Sequence, residues 1–208
     1  MNGQKKKHIR FILEYTVSFA VLFLLIYLGF ILNHRSFIWF YDGNKQHFPA
    51  LLYLRDYYLK VAGNLFSGHF TLPMFDFSIG MGEDILTTLN FYGMGNPLTL
   101  FSVFVPKQHM EMFYDFLVAF RMYLAGLTFI FYCRNRGKGR AVSLAGAWLY
   151  VFSGYVLHVA VKHPFFISPM ILLPLMLTGV DRYREKKRSG LLIGSVFLCA
   201  LNGFYFIF

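Results

Sequence analysis

The sequence predicts an all-α polytopic membrane protein with about five transmembrane helices and a large first extracytoplasmic loop that contains short helices. Of its 208 residues, 57% are hydrophobic and 14% are charged, whereas a soluble domain carries about 25% charged residues. Mean hydropathy is +0.50, and several apolar runs are about as long as a bilayer is thick. These features argue against disordered, fibrous and disulfide-stapled chains, and against an ordinary cytosolic enzyme.

The first predicted span covers residues 11–32 and follows a basic N-terminus at residues 1–10. As a helix it would extend about 33 Å, enough to cross a hydrocarbon core of about 30 Å. A cleaved signal peptide has a shorter apolar region and a small-x-small cleavage site, and no such site follows Leu32. We therefore interpret this segment as an uncleaved signal anchor.

Four further apolar runs are predicted spans, at residues 112–132, 141–161, 165–180 and 189–208. The run 165–180 contains Pro169 and Pro174, which would kink a helix but are tolerated where neighbouring helices pack around it. The last run carries no basic flank or polar tail. We expect the chain to be the N-terminal part of a longer protein.

The charges predict the orientation in the membrane. Thirteen of the 20 lysines and arginines lie at the N-terminus and in the loops after the second and fourth predicted spans. Cytoplasmic loops attract such an excess, so the N-terminus is predicted to be cytoplasmic and residues 33–111 extracytoplasmic. The net charge of +10 is thus explained by membrane topology, and we expect no nucleic-acid partner.

The predicted extracytoplasmic loop is too long for an unstructured connection and is therefore expected to be functional. Within it, residues 51–61 are predicted to form a helix, because Pro49 precedes them and Gly63-Asn64 follows them. Asp42 lies among aromatic residues just after the first span, where a carboxylate could act as a general base on an acceptor hydroxyl. The alternative is a solvated turn, since Asp-Gly is a common turn dipeptide.

Glu83 and Asp84 form an adjacent acidic pair after the glycines of Gly80-Met81-Gly82. Neighbouring carboxylates could share a divalent cation with a substrate phosphate, because Mg²⁺ takes one or two carboxylates together with phosphate oxygens. A tight surface turn is the alternative interpretation.

Three ionisable residues lie within or near the predicted spans. Arg121 falls near mid-depth, where a charge is costly, so it should face a phosphate group or hydrogen-bond acceptors inside the bundle. Asp115 and His158 both lie close to the predicted outer boundary and could line one outer-leaflet cavity, although a lone histidine there is more often an interfacial group.

Several motifs in order along the chain resemble the bacterial YfhO membrane protein family. They are Asp42-x-x-x-Gln46-x-x-Pro49, residues 75–84, Tyr92 with Asn96-Pro97, and residues 121–126, 150–155 and 202–206. His47 stands where we would expect tyrosine. The likeness runs from about residue 5 to the end of the chain and is more specific than any one motif.

The YfhO family is similar to the C-type (GT-C) glycosyltransferases, so the resemblance implies a GT-C-like fold. It implies transfer of a sugar from a polyprenyl-phosphate donor to a cell-envelope acceptor such as lipoteichoic acid, in the bacterial cell membrane. Asp42 matches the essential acid of the first loop and would act as general base or assist a metal. Glu83 and Asp84 would contribute to the active site, while Gln46 and Arg121 would contact substrate.

Cofactor and mechanism stay partly open from the sequence. No cofactor is certain, but a divalent cation held by Asp42, Glu83 and Asp84 is possible chemistry for such a site. The rival hypothesis is a transporter or flippase in which Arg121, Asp115 and His158 line a path for an anionic or lipid-linked substrate. Membrane lipids, a polyprenyl-phosphate-linked sugar and an envelope polymer are the expected partners.

Overall fold

The structure, a computed structural model, describes residues 3–68 and 71–203. It is mostly helical. Its helices are α1 (Gly3–Ile26), α2 (Leu28–Leu32), α3 (Phe48–Phe66), α4 (Ile85–Asn90), α5 (Pro97–Leu100), α6 (Met110–Asn135), α7 (Arg140–Val151), α8 (Gly154–Lys162), α9 (Ser168–Lys186) and α10 (Gly190–Asn202). Two short strands, β1 (Phe75–Asp76) and β2 (Glu83–Asp84), pair antiparallel. The sequence predicted an all-α fold, and this small hairpin departs from that prediction.

Three helical segments are long and apolar enough to cross a membrane: Ile9–Ile26, Lys107–Asn135 and Pro164–Lys186. A fourth crossing is formed if α7 and α8, which are bent by 49° at their junction, act as one span. Helix α10 has 13 residues, fewer than a crossing needs. The end of the fifth predicted span, residues 204–208, lies outside the described residues, which therefore support three or four spans rather than five.

The predicted third span, residues 141–161, is two helices because Ser153-Gly154 begins a new one. The Ser153 hydroxyl accepts a hydrogen bond of 3.4 Å from the amide of Val156, and this cap sets the start of α8. The predicted fourth span runs further than expected, since α9 contains Pro174 and continues to Lys186. A helix can absorb this proline because the neighbouring helices pack around it.

Helix α6 lies at the centre of the bundle and packs against α1, α7 and α9, while α9 packs against α10. Tyr15 on α1 is fully buried, and its hydroxyl donates a hydrogen bond of 3.0 Å to the carbonyl of Tyr123. A side chain at Gly126 would collide with the Tyr15 hydroxyl, so the glycine permits the close contact of α1 with α6.

The helix directions give the bundle two ends. The loop end carries residues 33–109 and the α8–α9 connection, and the basic end carries the α6–α7 and α9–α10 connections. At the loop end, the predicted helix after Pro49 is α3, with the proline in its first turn. Leu54 of α3 packs with Ile85 and Leu89 of α4 in a second apolar cluster, so this segment is a folded unit.

Candidate functional site

Asp42 is positioned by the short π-helical turn Gly43–His47 that leads into α3. Its carboxylate Oδ1 accepts a hydrogen bond of 3.2 Å from the side-chain Nε2 of Gln46. The side-chain Oε1 of Gln46 in turn accepts one of 2.7 Å from the Tyr92 hydroxyl. In the described part of the chain, the Asp42 carboxylate has no other hydrogen-bond donor. Asp42, Gln46 and Tyr92 therefore form a chain that leaves one carboxylate oxygen of Asp42 open to a ligand.

A cavity of about 390 Å³ lies beside this chain of hydrogen bonds. It is lined in part by Lys45, Gln46, Tyr53, Ser78, Gly80, Thr88 and Tyr92. Two tyrosine rings, hydroxyl groups and an amide are groups that can stack on and hydrogen-bond to a polar ring such as a sugar. The Lys45 ammonium group adds a positive charge that suits a phosphate. The cavity therefore offers donors, acceptors and one cation, and Asp42 is connected to it through the lining residue Gln46.

Two histidines lie behind the Asp42 turn. His47 is 1% exposed, and its ring centroid is 5.4 Å from that of His163; within the described residues, neither Nδ1 has a hydrogen-bond partner. Burial, and secondarily the charge of His163, lowers the pKa of His47 to about 4, while the charge of Asp42 opposes the shift. His47 is therefore neutral at pH 7, beside the ring of His163.

The acids of the hairpin are used by local structure. Asp84 is the N-cap of α4, and its carboxylate accepts hydrogen bonds from the amide and the hydroxyl of Thr87; the hydroxyl contact lowers its pKa most. Asp76 accepts one of 2.6 Å from the Tyr53 hydroxyl, which lowers its pKa. The exposed Glu83 side chain lies against Gly80, which lines the cavity. Of the predicted acidic pair, Glu83 therefore lies against one residue of the cavity lining, while Asp84 caps a helix.

Arg121 lies inside the bundle, as its position in the second span predicted. It is 2% exposed, and its guanidinium carbon is 5.3 Å from the centre of the Phe165 ring. The same ring has a centroid distance of 5.4 Å to the His47 ring and of 6.4 Å to the Tyr92 ring. Among the described residues, Nε and Nη2 of Arg121 and the hydroxyl of Tyr114 have no hydrogen-bond partner. Phe165 therefore links the arginine to the back of the Asp42 turn.

Asp115 and His158 are not brought to one cavity. The Asp115 carboxylate accepts hydrogen bonds from the Ser36 hydroxyl (2.9 Å) and the Phe37 amide (2.8 Å), so it anchors the chain after α2 to α6. The cavity beside it, of about 360 Å³, is lined by residues that do not include His158. His158 is exposed on α8.

Comparison with known proteins identifies the family of the chain. A family model described as "Bacterial membrane protein YfhO" matches residues 15–208. The chain belongs to the YfhO family. No curated protein and no solved structure matches it. Membership of this family and the apolar helices together place the chain among membrane proteins.

A metal centre is not assembled by this YfhO-family chain as far as the structure describes it. No three side chains of histidine, cysteine, aspartate or glutamate come together there as metal ligands. Asp84 is committed to its cap, so the predicted set of Asp42, Glu83 and Asp84 does not converge on one point.

Several residues of the site were not singled out from the sequence. Lys45 lies inside the Asp42-to-Gln46 motif, and its position between two predicted site residues is a signal that could have identified it. His163 and Lys162 come from the α8–α9 connection, where the Lys162 ammonium lies 5.0 Å from the Trp39 ring. No local pattern predicts a contact between residues so far apart in sequence.

Proposed function

We propose that this YfhO-family chain is a membrane glycosyltransferase, or the N-terminal segment of one. It would transfer a sugar from a polyprenyl-phosphate donor to a cell-envelope acceptor such as lipoteichoic acid. The observation that carries the proposal is the cavity of about 390 Å³ beside the hydrogen-bonded chain from Asp42 to Tyr92. The cavity supplies sugar-compatible aromatic and hydroxyl groups and one cation, and the Asp42 carboxylate is hydrogen-bonded to its lining residue Gln46.

In the proposed reaction, Asp42 acts as the general base. The acceptor hydroxyl transfers its proton to Asp42, and its oxygen forms a bond to the anomeric carbon of the donor sugar. The bond between that carbon and the phosphate oxygen breaks, and the polyprenyl phosphate leaves with the electron pair. Lys45 would stabilise the charge on the departing phosphate, because a cation next to a developing anion lowers the barrier.

The other candidate residues are proposed to assist at different distances from Asp42. Gln46 and Tyr92 hold the carboxylate of Asp42, so we propose that they position it and contact the sugar. Glu83, beside Gly80, would contact substrate at the edge of the cavity. Arg121 is buried against the Phe165 ring. We therefore propose that its positive charge favours the donor phosphate from inside the bundle. Asp115 and His158 do not share a cavity, so we propose for each only a separate contact with substrate outside the reacting centre.

A transporter or flippase is the second candidate, and one observation favours it. Arg121 is buried in a span with two guanidinium nitrogens that have no partner among the described residues, as expected for a group that meets an anionic substrate within the membrane. The loop-end cavity favours the enzyme, because polar groups of a transport path should lie at mid-depth.

The two functions separate in one assay. The purified protein is reconstituted into liposomes with a labelled polyprenyl-phosphate sugar and an envelope acceptor. Sugar appearing on the acceptor, with release of polyprenyl phosphate, supports the glycosyltransferase. Movement of the intact donor across the bilayer supports the transporter, and unchanged donor on its original side contradicts both.

A further inference from the structure

The basic end of the bundle contains a cavity that the proposed reaction does not use. Its volume is about 460 Å³, and it lies where the last turns of α6 and α9 meet the first turn of α10. The lining residues are Asn135, Arg182, Lys186, Arg188, Gly190 and Leu191. The charged members of this set are all cations, so the cavity favours an anion.

The neighbouring α6–α7 connection shows that cations at this end need not face a cavity. There, Arg136 forms an ion pair of 3.1 Å with Asp181, Arg140 pairs with Glu14, and Arg134 donates to the carbonyl of Lys138. These cations are used inside the protein. Within residues 3–68 and 71–203, Arg182, Lys186 and Arg188 form no ion pair, and their charge is left for a ligand.

The cavity is built by ordered groups. The Arg182 guanidinium lies 5.0 Å from the Phe131 ring, and its Nε donates to the Asn135 side chain at 3.4 Å. Lys187 closes α9 in a left-handed conformation with φ of 53°, and its amide bonds to the Tyr183 carbonyl at 2.9 Å. This turn fixes the backbone between the two lining residues Lys186 and Arg188.

An apolar face of α10 continues from the cavity. Gly190 lines the cavity, and Ile193 and Phe197 follow it by three and seven residues, which places all three on the same helix face. Ile193 is 63% exposed and Phe197 is 61% exposed. A ligand with both an anionic head and a hydrocarbon tail could therefore contact the cations and this face together.

We propose that this cavity binds the headgroup of an anionic phospholipid, with an acyl chain along Ile193 and Phe197. Basic pockets between transmembrane helices recognise anionic headgroups through phosphate and charge, and arginine can engage a phosphate with two nitrogen atoms. The lipid would join α6, α9 and α10 at their basic ends. These cations then serve a bound lipid in addition to marking membrane orientation.

The test is native mass spectrometry of the detergent-purified protein titrated with phosphatidylglycerol or phosphatidylcholine. The wild type should bind phosphatidylglycerol more tightly than phosphatidylcholine. The variant Lys186→Gln/Arg188→Gln should lose about 25-fold in phosphatidylglycerol affinity, from roughly fivefold for each cation. The matched control Lys138→Gln/Arg184→Gln removes the same charge from exposed positions outside the cavity and should retain the wild-type affinity.

Three results would overturn the proposal. These are equal affinity of the wild type for both lipids, equal losses in the two double variants, and displacement of phosphatidylglycerol by equimolar glycerol phosphate, which would indicate a site for a free anion. If the cavity variant does not fold, Arg188→Gln alone should lose about fivefold. An unchanged affinity of that single variant would also contradict the proposal.

Discussion

Two acid-bearing segments of the loop end look alike in sequence and differ in structure. In the turn before α3, Asp42 contacts the side chain of Gln46, which is itself held by Tyr92. In the β1–β2 hairpin, Asp76 accepts hydrogen bonds from the Tyr53 hydroxyl and the Ser78 amide. Asp84 accepts one from the Thr87 amide. Both segments are rich in aromatic residues and glycine, yet a carboxylate is open to a ligand in the first segment and committed in the second.

The difference teaches which acids are available for chemistry. A carboxylate that caps a helix has a lowered pKa and a fixed orientation. Its movement towards a substrate would break the cap. Asp42 is held by a side-chain amide next to a cavity and can exchange that contact for a substrate hydroxyl. The comparison therefore supports the proposed role of Asp42 as the base and shows that Asp84 caps a helix.

The largest expected effect is on catalysis by the Asp42 turn. Asp42→Asn retains the size and a hydrogen-bonding group but removes the base, so kcat should fall by at least about 100-fold with little change in KM. The measurement is steady-state sugar transfer from a polyprenyl-phosphate donor by the reconstituted protein. An unchanged kcat at equal folded protein would remove Asp42 from the mechanism.

The next effect is on how stability depends on pH, which differs between the Asp42 turn and the hairpin. His47, behind the Asp42 turn, has a pKa lowered to about 4, against about 6.5 when unfolded. The unfolded chain therefore takes up a proton first, and stability falls as pH drops from about 6.5 to 4, by up to about 3 kcal/mol. Asp76 and Asp84 have lowered pKa values, so their contribution is present above the ordinary carboxyl pKa and is lost at lower pH.

Melting temperatures between pH 7 and pH 3 measure this difference. His47→Gln should remove the loss between pH 6.5 and 4 and retain the loss at lower pH. The exposed His158 provides the control, since His158→Gln removes a histidine away from the Asp42 turn and should keep the wild-type loss between pH 6.5 and 4. A wild-type profile that is flat down to pH 4 would contradict the burial of a neutral His47.

A smaller effect is expected where Tyr92 holds Gln46. Tyr92→Phe keeps the ring beside His47 but removes the hydroxyl, and should lower the transfer rate about 3–10-fold, the effect of one hydrogen bond. Tyr57→Phe is the matched control, because it removes a hydrogen bond to the Pro73 carbonyl outside the cavity. Equal transfer rates for the two variants would show that Tyr92 does not position the site.

The smallest effect belongs to the hairpin. Asp84→Ala removes the N-cap of α4 and should lower the melting temperature by about 2–4 °C. Transfer per folded molecule should stay within about twofold of the wild type, because the carboxylate is bound to Thr87 at the helix cap. A large loss of transfer at normal stability would instead give Asp84 a catalytic role.

Local signals were sufficient for much of the fold. Pro49 and the apolar run after it predicted a helix over residues 51–61, which lies within the longer α3. The second apolar run, residues 112–132, lies within α6. The break at Ser153 was missed because hydropathy alone favours one continuous span, although a serine before glycine is also a cap signal. The hairpin was missed because paired strands of two residues have no detectable period.

The sequence pointed to Asp42 and Gln46 as candidate residues but did not predict how the residues around them assemble. Asp42 and Gln46 share one motif, so their contact follows from a four-residue helical spacing. The cap role of Asp84 was also readable, since aspartate is a preferred residue at the position before a helix. The approach of His163 to His47, however, depends on how α8 and α9 are joined above α6, and tertiary packing of that kind has no local sequence signal.

The most direct test of the central claim compares Asp42→Asn with Asp84→Asn in one experiment. Each variant loses one carboxylate charge, and both are assayed for sugar transfer in the same liposomes at equal amounts of folded protein. The account predicts that Asp42→Asn transfers at least about 100-fold more slowly than Asp84→Asn, which stays near the wild type. Equal rates for the two variants, or a slower Asp84→Asn, would contradict it.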